Sequence, residues 1–242
     1  MRESVRGLFI TGTDTGVGKT YVAALVARAL AAQGRRVGVY KPVASGCRHE
    51  GDRLVADDAV NLWEAAGRPG ELERVCPQRF AAPLAPHLAA RAENGRVDPE
   101  QLRRGLDYWL DRSDVVIVEG VGGLMSPLRD DEYVADLAYE FGYPLVVVAR
   151  NALGAINQTL QTLITAATFR RGLSIAGIVL NRPTPTGERV ATGRNGGFDA
   201  DASIESNSDE LARRCVPPLL AELSYGATGF EPPVDWFALA RS

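Results

Sequence analysis

The residues that could do chemistry begin with a glycine-rich stretch at positions 12–20, GTDTGVGKT. A short apolar run precedes this stretch, and an amphipathic helical pattern follows it. In such a setting, glycines free backbone N–H groups to bind phosphate, and the N-terminus of the helix adds its dipole. Lys19 can then reach the β- and γ-phosphates of a nucleotide, and the Thr20 hydroxyl can ligate Mg²⁺. The stretch therefore predicts an ATP site.

The glycine spacing of this loop departs from the common phosphate-loop pattern, in which four residues separate the two glycines. Here five residues separate Gly12 from Gly18, and Thr13 stands where the first glycine is expected. The alternative interpretation is an ordinary glycine-rich turn between a strand and a helix. The strand-like run before the loop and the helical pattern after it favour the phosphate site.

Two acidic residues are candidate Mg²⁺ ligands, because a metal bound to nucleotide takes carboxylate oxygens in addition to a hydroxyl. Glu119 follows the apolar run at 115–118 directly, and the glycines Gly120 and Gly122 after it permit close backbone approach. Asp58 begins a helical pattern. For Asp58 an N-cap role explains the pattern about as well as a metal does.

Two further positions could meet an anionic ligand. Lys41 directly follows the apolar run at 37–40 and is the first residue of the stretch KPVASG. It could therefore add a second positive charge near the γ-phosphate. A solvated lysine at the end of a strand is the alternative. Residues 154–157, GAIN, open a helical pattern whose free N–H groups suit an anion, although an ordinary turn explains this pattern better.

The elements that must position these residues are short apolar runs alternating with helical patterns. The runs are predicted strands at 8–11, 37–40, 115–118, 145–149 and 175–180. Near-continuous apolar runs suit parallel strands that are buried on both faces. The pattern predicts an α/β fold of the phosphate-loop NTPase type, a single doubly wound domain over residues 1–242 with a mostly parallel sheet flanked by helices. Such sheets bind ligands at the carboxyl ends of their strands.

Residues 183–206 depart from this alternation, with four glycines and few large apolar side chains. We expect a long mobile loop there.

Composition excludes several classes of function. The formal net charge of −3 gives no basic footprint for nucleic acid. The three cysteines are isolated, which argues against disulfides or a zinc site and favours a cytoplasmic protein. No apolar run is long enough to span a membrane, and we expect no secretion signal.

Five motifs together resemble the dethiobiotin synthase family of phosphate-loop NTPases. They are GTDTGVGKT, KPVASG, the segment around Asp58, VEGVGG at 118–123 and ALGAIN at 152–157. The resemblance covers residues 7–182, and the displaced first glycine is a feature of this family. It implies that ATP and Mg²⁺ drive the carboxylation of 7,8-diaminononanoate with CO₂, giving dethiobiotin, ADP and phosphate. It also implies a homodimer.

The resemblance assigns roles to single residues. Lys41 and Lys19 would be catalytic, and the metal ligands would be Thr20, Asp58 and Glu119. The substrate would contact Thr15, Ser45, Gly154, Ala155, Ile156 and Asn157. The nucleotide would contact Gly16, Val17, Gly18, Lys19, Thr20, Tyr21, Asp58, Glu119, Gly120, Val121, Gly122, Asn181, Arg182, Pro218, Leu219 and Leu220.

Three alternatives stay open. A switch ATPase of the partitioning or site-placement type would carry an additional lysine early in the loop, where this chain has Asp14. A non-catalytic binding module would not need Lys19, Lys41, Asp58 and Glu119 together. An amidotransferase of cobalamin synthesis would add a glutaminase domain with a Cys–His pair.

Overall fold

The protein is described by a computed structural model over residues 5–185 and 203–241. The strands are β1 (Arg6–Gly12), β2 (Val37–Tyr40), β3 (Val43–Ala44), β4 (Arg48–Glu50), β5 (Arg53–Val55), β6 (Gln78–Arg79), β7 (Val115–Gly123), β8 (Leu145–Arg150), β9 (Ile175–Asn181) and β10 (Leu219–Leu223). The helices are α1 (Lys19–Ala32), α2 (Asp57–Ala65), α3 (Leu72–Val75), α4 (Pro86–Ala92), α5 (Pro99–Leu110), α6 (Val134–Phe141), α7 (Ala155–Thr168), α8 (Ile204–Arg214) and α9 (Trp236–Leu239).

A six-stranded parallel sheet forms the centre of the molecule, in the order β10-β9-β8-β1-β7-β2. The predicted α/β fold with a parallel sheet is confirmed, and each of the predicted runs is a strand of this sheet. β10 was not predicted, because the five residues of this strand, LLAEL, do not form a continuous apolar run. β7 is longer than the predicted strand at 115–118, since it continues through Glu119 to Gly123.

The core lies on both faces of the sheet, as the apolar runs predict. Leu8, Phe9 and Ile10 in β1 have no exposed surface, and the first residues of β7 are equally buried. Burying such side chains on both faces supplies the main stabilisation of the sheet. Because β1 lies between β7 and β8, the loop that follows β1 emerges in the middle of the carboxyl edge.

Local signals fix the ends of two helices. Asp98 caps α5 by accepting hydrogen bonds from the N–H groups of Glu100 and Gln101, and Pro99 occupies the first turn. Gly34 follows the end of α1 with a φ of 77°, a left-handed conformation that favours glycine. Both are residue types that helix ends of these kinds favour.

The predicted loop at 183–206 is described only at its ends, and residues 186–202 lie outside the described residues. Its predicted C-terminal boundary is wrong, because α8 already begins at Ile204. Asn207 and Leu211 are the buried residues of α8. With so few apolar residues, this helix gives a weak sequence signal. Among the described residues, none of the helices has the length and apolar character that crossing a membrane requires.

Candidate active site

The glycine-rich loop joins β1 to α1 at the carboxyl edge of the sheet. Gly18 precedes the helix with a φ of 92°, and Lys19 is the first helical residue. The Lys19 ammonium donates to the carbonyl oxygen of Asp14 at 2.9 Å, so it folds back over the loop. A side chain at Gly12 would place its Cβ 2.8 Å from a methyl group of Val17. The turn therefore requires glycine at position 12, which explains the unusual glycine spacing.

Asn181, the last residue of β9, supports this loop from the neighbouring strands. Its Nδ2 donates to the carbonyl oxygen of Val17 at 2.9 Å, and the residue is 1% exposed. A Cβ at Gly18 would lie 2.1 Å from the same nitrogen, so Asn181 needs glycine there. The Asn181 Oδ1 is buried and has no hydrogen-bond partner among the described residues. This oxygen is available to a donor group of a ligand.

Glu119 is the centre of a polar cluster beside the loop. It lies in β7 opposite Ile10 of β1, and it is 1% exposed. The Thr20 hydroxyl donates to Glu119 Oε1 at 2.8 Å, and the Lys41 ammonium donates to the same oxygen at 2.7 Å. Lys41 also pairs with Asp58 Oδ2 at 2.9 Å. The structure thus brings together Thr20, Lys41, Asp58 and Glu119, although they lie far apart in the chain.

Four elements, α1, β2, α2 and β7, carry these side chains to one place. Lys41 directly follows β2 and is 3% exposed, and its backbone N–H donates to the carbonyl of Val75 at 2.7 Å. Asp58 lies in the first turn of α2, but the residue that caps this helix is Ala56. Asp58 is therefore not the N-cap that the alternative interpretation predicts. Its carboxylate contacts Lys41 instead.

Burial and mutual charge shift the pKa values of the cluster. Burial alone would lower the pKa of Lys41, but the charges of Glu119 and Asp58 outweigh it and raise this pKa. Burial works to raise the pKa of Asp58, but Lys41 lowers it below its usual value. The pKa of Glu119 is raised by burial, with Lys41 acting in the opposite direction. Burial lowers the pKa of Lys19, and the charge of Lys41 adds to this effect.

The residues of this cluster fit a divalent metal ion. Glu119 Oε2 is buried without a hydrogen-bond partner among the described residues, an arrangement that is unfavourable unless a cation binds it. The donor set of two carboxylates and a hydroxyl suits Mg²⁺, which prefers oxygen ligands and keeps further positions for phosphate and water. Across residues 5–185 and 203–241, no group of three or more His, Cys, Asp or Glu side chains could hold a metal by itself.

The glycines at the end of β7 serve two different purposes. A Cβ at Gly123 would lie 3.2 Å from the carbonyl oxygen of Gly12, so the end of β7 passes close to the phosphate loop as predicted. At Gly122 a Cβ would meet the Ser126 hydroxyl at 2.1 Å and the Thr15 hydroxyl at 3.7 Å. Gly120 instead faces Phe9 and Val134 in the core. The lack of a side chain at Gly120 therefore serves core packing. Val121, between Gly120 and Gly122, is half-buried.

The predicted substrate residues lie at three places, the first of which is the phosphate loop with the exposed Thr15. Ser45 follows β3, where the backbone of Gly46 and Cys47 bonds to the carbonyls of Ala82 and Phe80. Gly154 precedes α7 with a φ of 95°, and the first turn contains Ala155, Ile156 and Asn157. The N–H of Thr13 bonds to Val148 of β8, which connects the phosphate loop to the strand before α7.

Pro218, Leu219 and Leu220 do not lie at this edge, which corrects the prediction that they contact the nucleotide. Leu219 pairs with Ile178 in the middle of β9, whereas Leu223 pairs with Asn181 at its end. The residues that β10 delivers to the carboxyl edge are therefore those that follow Leu223. In sequence, their only signal is their place after the last strand.

The segment that follows β10, residues 224–227, lies beside α1. The Tyr21 hydroxyl donates to the carbonyl oxygen of Ala227, and Tyr225 is 57% exposed. Arg182, which follows Asn181, bonds through its N–H to the carbonyl of Leu223 at 2.9 Å. Asn181 and Arg182 thus lie beside the end of β10, and Tyr21 contacts the segment that follows it.

The fold and the loop define a phosphate-loop NTPase. A solved structure of a putative plasmid partition protein from Borrelia burgdorferi B31, bound to AMPPNP, matches this chain with a TM-score of 0.50 and 10% sequence identity. The match covers 98% of this chain and 94% of that one, and it shows the fold alone. The family described as an AAA domain matches residues 6–227.

Curated relatives narrow this class further. An ATP-dependent dethiobiotin synthetase from Rhodopirellula baltica is 42% identical over 227 residues, which span 89% of this chain and 82% of the relative. A second one, from Anaeromyxobacter dehalogenans strain 2CP-C, is 45% identical over 209 residues and covers 86% of this chain and 85% of its own length. The chain belongs to the ATP-dependent dethiobiotin synthetase family.

Proposed function

We propose that this protein closes the ureido ring of dethiobiotin from 7,8-diaminononanoate, CO₂ and ATP. One amine of the diamine adds to CO₂ and forms a carbamate. A carbamate oxygen attacks the γ-phosphorus of ATP, which releases ADP and gives a carbamic–phosphoric anhydride. The second amine attacks the carbamate carbon, closes the ring and expels phosphate, and the amine protons pass to solvent.

The observation that carries this proposal is the cluster of Lys41, Glu119, Asp58 and Thr20 beside the phosphate loop. Phosphoryl transfer needs little covalent chemistry from the protein and depends on positioning and on stabilising charge. Lys41 is held by two carboxylates, so its ammonium is fixed before substrate arrives. Lys19 opens α1 and supplies the second cation at the phosphates.

Mg²⁺ would be held by Thr20, Asp58 and Glu119, and when bound it would neutralise charge on the nucleotide phosphates. The unpartnered Glu119 Oε2 supports this assignment. Asp58 is half-exposed, so it can reach a metal that arrives with the nucleotide. Lys41 donates to Glu119 Oε1, which leaves Oε2 of this carboxylate for a cation.

The nucleotide phosphates would bind the backbone of Gly16, Val17 and Gly18, and the adenine would bind at the ends of β9 and β10. One N–H of Asn181 Nδ2 donates to Val17, and the buried Oδ1, which has no partner among the described residues, can accept a hydrogen bond from the base. The exocyclic amino group of adenine is a donor that fits this oxygen. Residues 224–226 would line the base in place of Pro218, Leu219 and Leu220.

The diamine would lie between the γ-phosphate and the start of α7. Thr15 is exposed beside Gly122, and Ser45 lies four residues beyond Lys41, so both are suited to contact the amine end. The distal carboxylate would bind the N–H groups of Ile156 and Asn157, since the first N–H groups of a helix have no intrahelical partner. The homodimer, the single-domain organisation and the cytoplasmic location are further predictions that rest on the sequence.

Mass spectrometry of the complete reaction tests this function. With the diamine, ¹³C-labelled bicarbonate, ATP and Mg²⁺, we expect dethiobiotin carrying one ¹³C, together with ADP. Omission of the diamine or of CO₂ should abolish ADP release. ADP release that is indifferent to the diamine would instead indicate a switch ATPase.

A further inference from the structure

An amide network behind the start of α7 consists of two buried asparagines, Asn151 and Asn207, and it also involves the exposed Glu222. Asn151 directly follows β8 and is 3% exposed, and Asn207 in α8 is 2% exposed. Asn151 Nδ2 donates to Glu222 Oε1 at 2.8 Å, and Asn207 Nδ2 donates to Asn151 Oδ1 at 2.9 Å. None of these three residues has a role in the chemistry described above.

The network holds the turn that presents the N-terminus of α7. Asn207 Nδ2 also donates to the carbonyl oxygen of Ala152 at 3.1 Å. The same carbonyl accepts from the N–H of Ala155 at 3.0 Å, which closes the turn before the helix. The Asn207 amide therefore contacts both Asn151 and Ala152, immediately before the N–H groups that would bind the substrate carboxylate.

The network is connected to the nucleotide side of the site as well. The N–H of Asn151 donates to the carbonyl oxygen of Asn181 at 2.7 Å, and Asn181 supports the phosphate loop through Val17. Glu222 lies in β10, one residue before the end of this strand. The ends of β8, β9 and β10 are thus fixed relative to one another through Asn151.

Apolar contacts already attach α8 to the sheet. Leu211 of α8 packs with Ala149, Ala155 and Leu180 in a small buried cluster. Apolar packing is not directional, whereas buried amides are unfavourable unless their hydrogen bonds are all made. The amide network consequently restricts the orientation of the turn at 151–154, which the apolar cluster does not.

We propose that Asn151 and Asn207 are positioning residues that fix the N-terminus of α7 for the substrate carboxylate. The proposal rests on the proposed function, since it concerns the binding of the diamine. The two side chains set the direction of the Ile156 and Asn157 N–H groups without touching the substrate. Displacement of these donors should weaken binding of the diamine and leave binding of ATP almost unchanged.

Steady-state kinetics of Asn207→Leu and Asn151→Ala test this proposal, with the exposed Asp209→Ala on α8 as the matched control. We expect the KM for diaminononanoate to rise by about tenfold in both variants, because small displacements of binding groups weaken productive binding. The KM for ATP should change by less than about twofold. Glu222→Gln keeps an acceptor for Asn151 and should behave as the unmodified protein does.

A diamine without the carboxylate, 7,8-diaminononane, separates positioning from a general structural effect. Its KM should be the same in Asn207→Leu as in the unmodified protein, because it makes no contact with α7 through a carboxylate. Equal losses for both diamines, or an equal rise in the KM for ATP, would overturn the proposal. So would an unchanged KM for diaminononanoate in both variants. If Asn207→Leu does not fold, Asn151→Ala decides between these results. Lack of dethiobiotin formation by the unmodified protein would refute the proposed function itself.

Discussion

The Lys41 ammonium lies between two carboxylates in a nearly solvent-free position, so we expect its charge to affect both turnover and stability. We expect Lys41→Met to lower turnover by ~10²-fold or more, because a preorganised charge donor at a transferring group is typically worth that much. The same change leaves Glu119 buried and unpaired, which typically costs about 3 kcal/mol of unfolding free energy. Turnover assays and urea unfolding in EDTA measure the two effects.

The double variant Lys41→Met/Glu119→Gln is the control for this prediction. It removes the unpaired charge, so most of the lost stability should return while turnover stays low. Near-normal turnover in Lys41→Met would contradict the catalytic assignment. Unchanged stability of Lys41→Met without metal would contradict the buried ion pair.

We expect Lys19 to take up protons when ATP binds, to an extent that depends on pH. Burial lowers its pKa, so the free protein begins to lose this proton at a lower pH than an ordinary lysine does. The triphosphate raises this pKa again, because an opposite charge favours the protonated form. Calorimetry in buffers of different ionisation enthalpy should show proton uptake that increases as the pH rises toward the ordinary pKa range of lysine. Lys19→Arg stays protonated, and it should bind ATP without this increase. Equal uptake by both proteins would refute the assignment.

The residues of the cluster could largely be predicted from sequence, because Lys41 and Glu119 follow or end apolar runs whose carboxyl edges coincide in a parallel sheet. Their hydrogen bonds could not be predicted. The direct bond from Lys41 to Glu119 depends on the register of β7 against β1, and no sequence pattern states it. Asn151 and Asn207 escaped notice because an isolated asparagine at the end of an element is usually read as part of a turn.

At the scale of elements, the phosphate loop and the end of β9 form one unit. Gly16 and Gly18 both adopt a positive φ, but only Gly18 has a neighbour where a side chain would lie. We expect Gly18→Ala to lower ATP affinity by at least about tenfold, or ~1.4 kcal/mol, because it displaces Asn181. Gly16→Ala adds only the strain of a left-handed alanine, about 1 kcal/mol.

Titration calorimetry with ATP and thermal unfolding of both variants distinguish these two effects. Gly16→Ala should lose stability while its ATP affinity stays within a few-fold of the original. Equal ATP affinities in the two variants would show that Asn181 does not support the loop.

The register of β10 could not be predicted from sequence, and the predicted contacts of the adenine base were wrong for this reason. The resemblance placed the base against Pro218, Leu219 and Leu220, but the pairing of Leu219 with Ile178 sets these residues back from the edge. A shift of a few residues along a strand moves a side chain by about 3.3 Å per residue. A sequence motif does not resolve such a shift when the strand register is unknown. The residues of GTDTGVGKT lie in one continuous loop, so their placement does not depend on a strand register.

In the whole molecule, the parallel sheet explains at which edge ligands bind, but it does not determine which reaction takes place there. The same fold is shared with a plasmid partition protein at 10% identity, so the fold does not determine the activity. The proposed reaction depends on the set of side chains at the carboxyl edge, and above all on Lys41 between Asp58 and Glu119. Relatives at 42% and 45% identity carry the name that this set supports.

The central claim is that a carbamate oxygen attacks the γ-phosphate, and oxygen isotopes test it most directly. When C¹⁸O₂ supplies the carbamate, ring closure breaks the bond between the carbamate carbon and the bridging oxygen. That oxygen should therefore leave in the inorganic phosphate. We predict one ¹⁸O per phosphate in samples quenched before CO₂ exchanges with water. Phosphate without ¹⁸O, formed alongside ADP and dethiobiotin, would contradict the attack of a carbamate oxygen on the γ-phosphate.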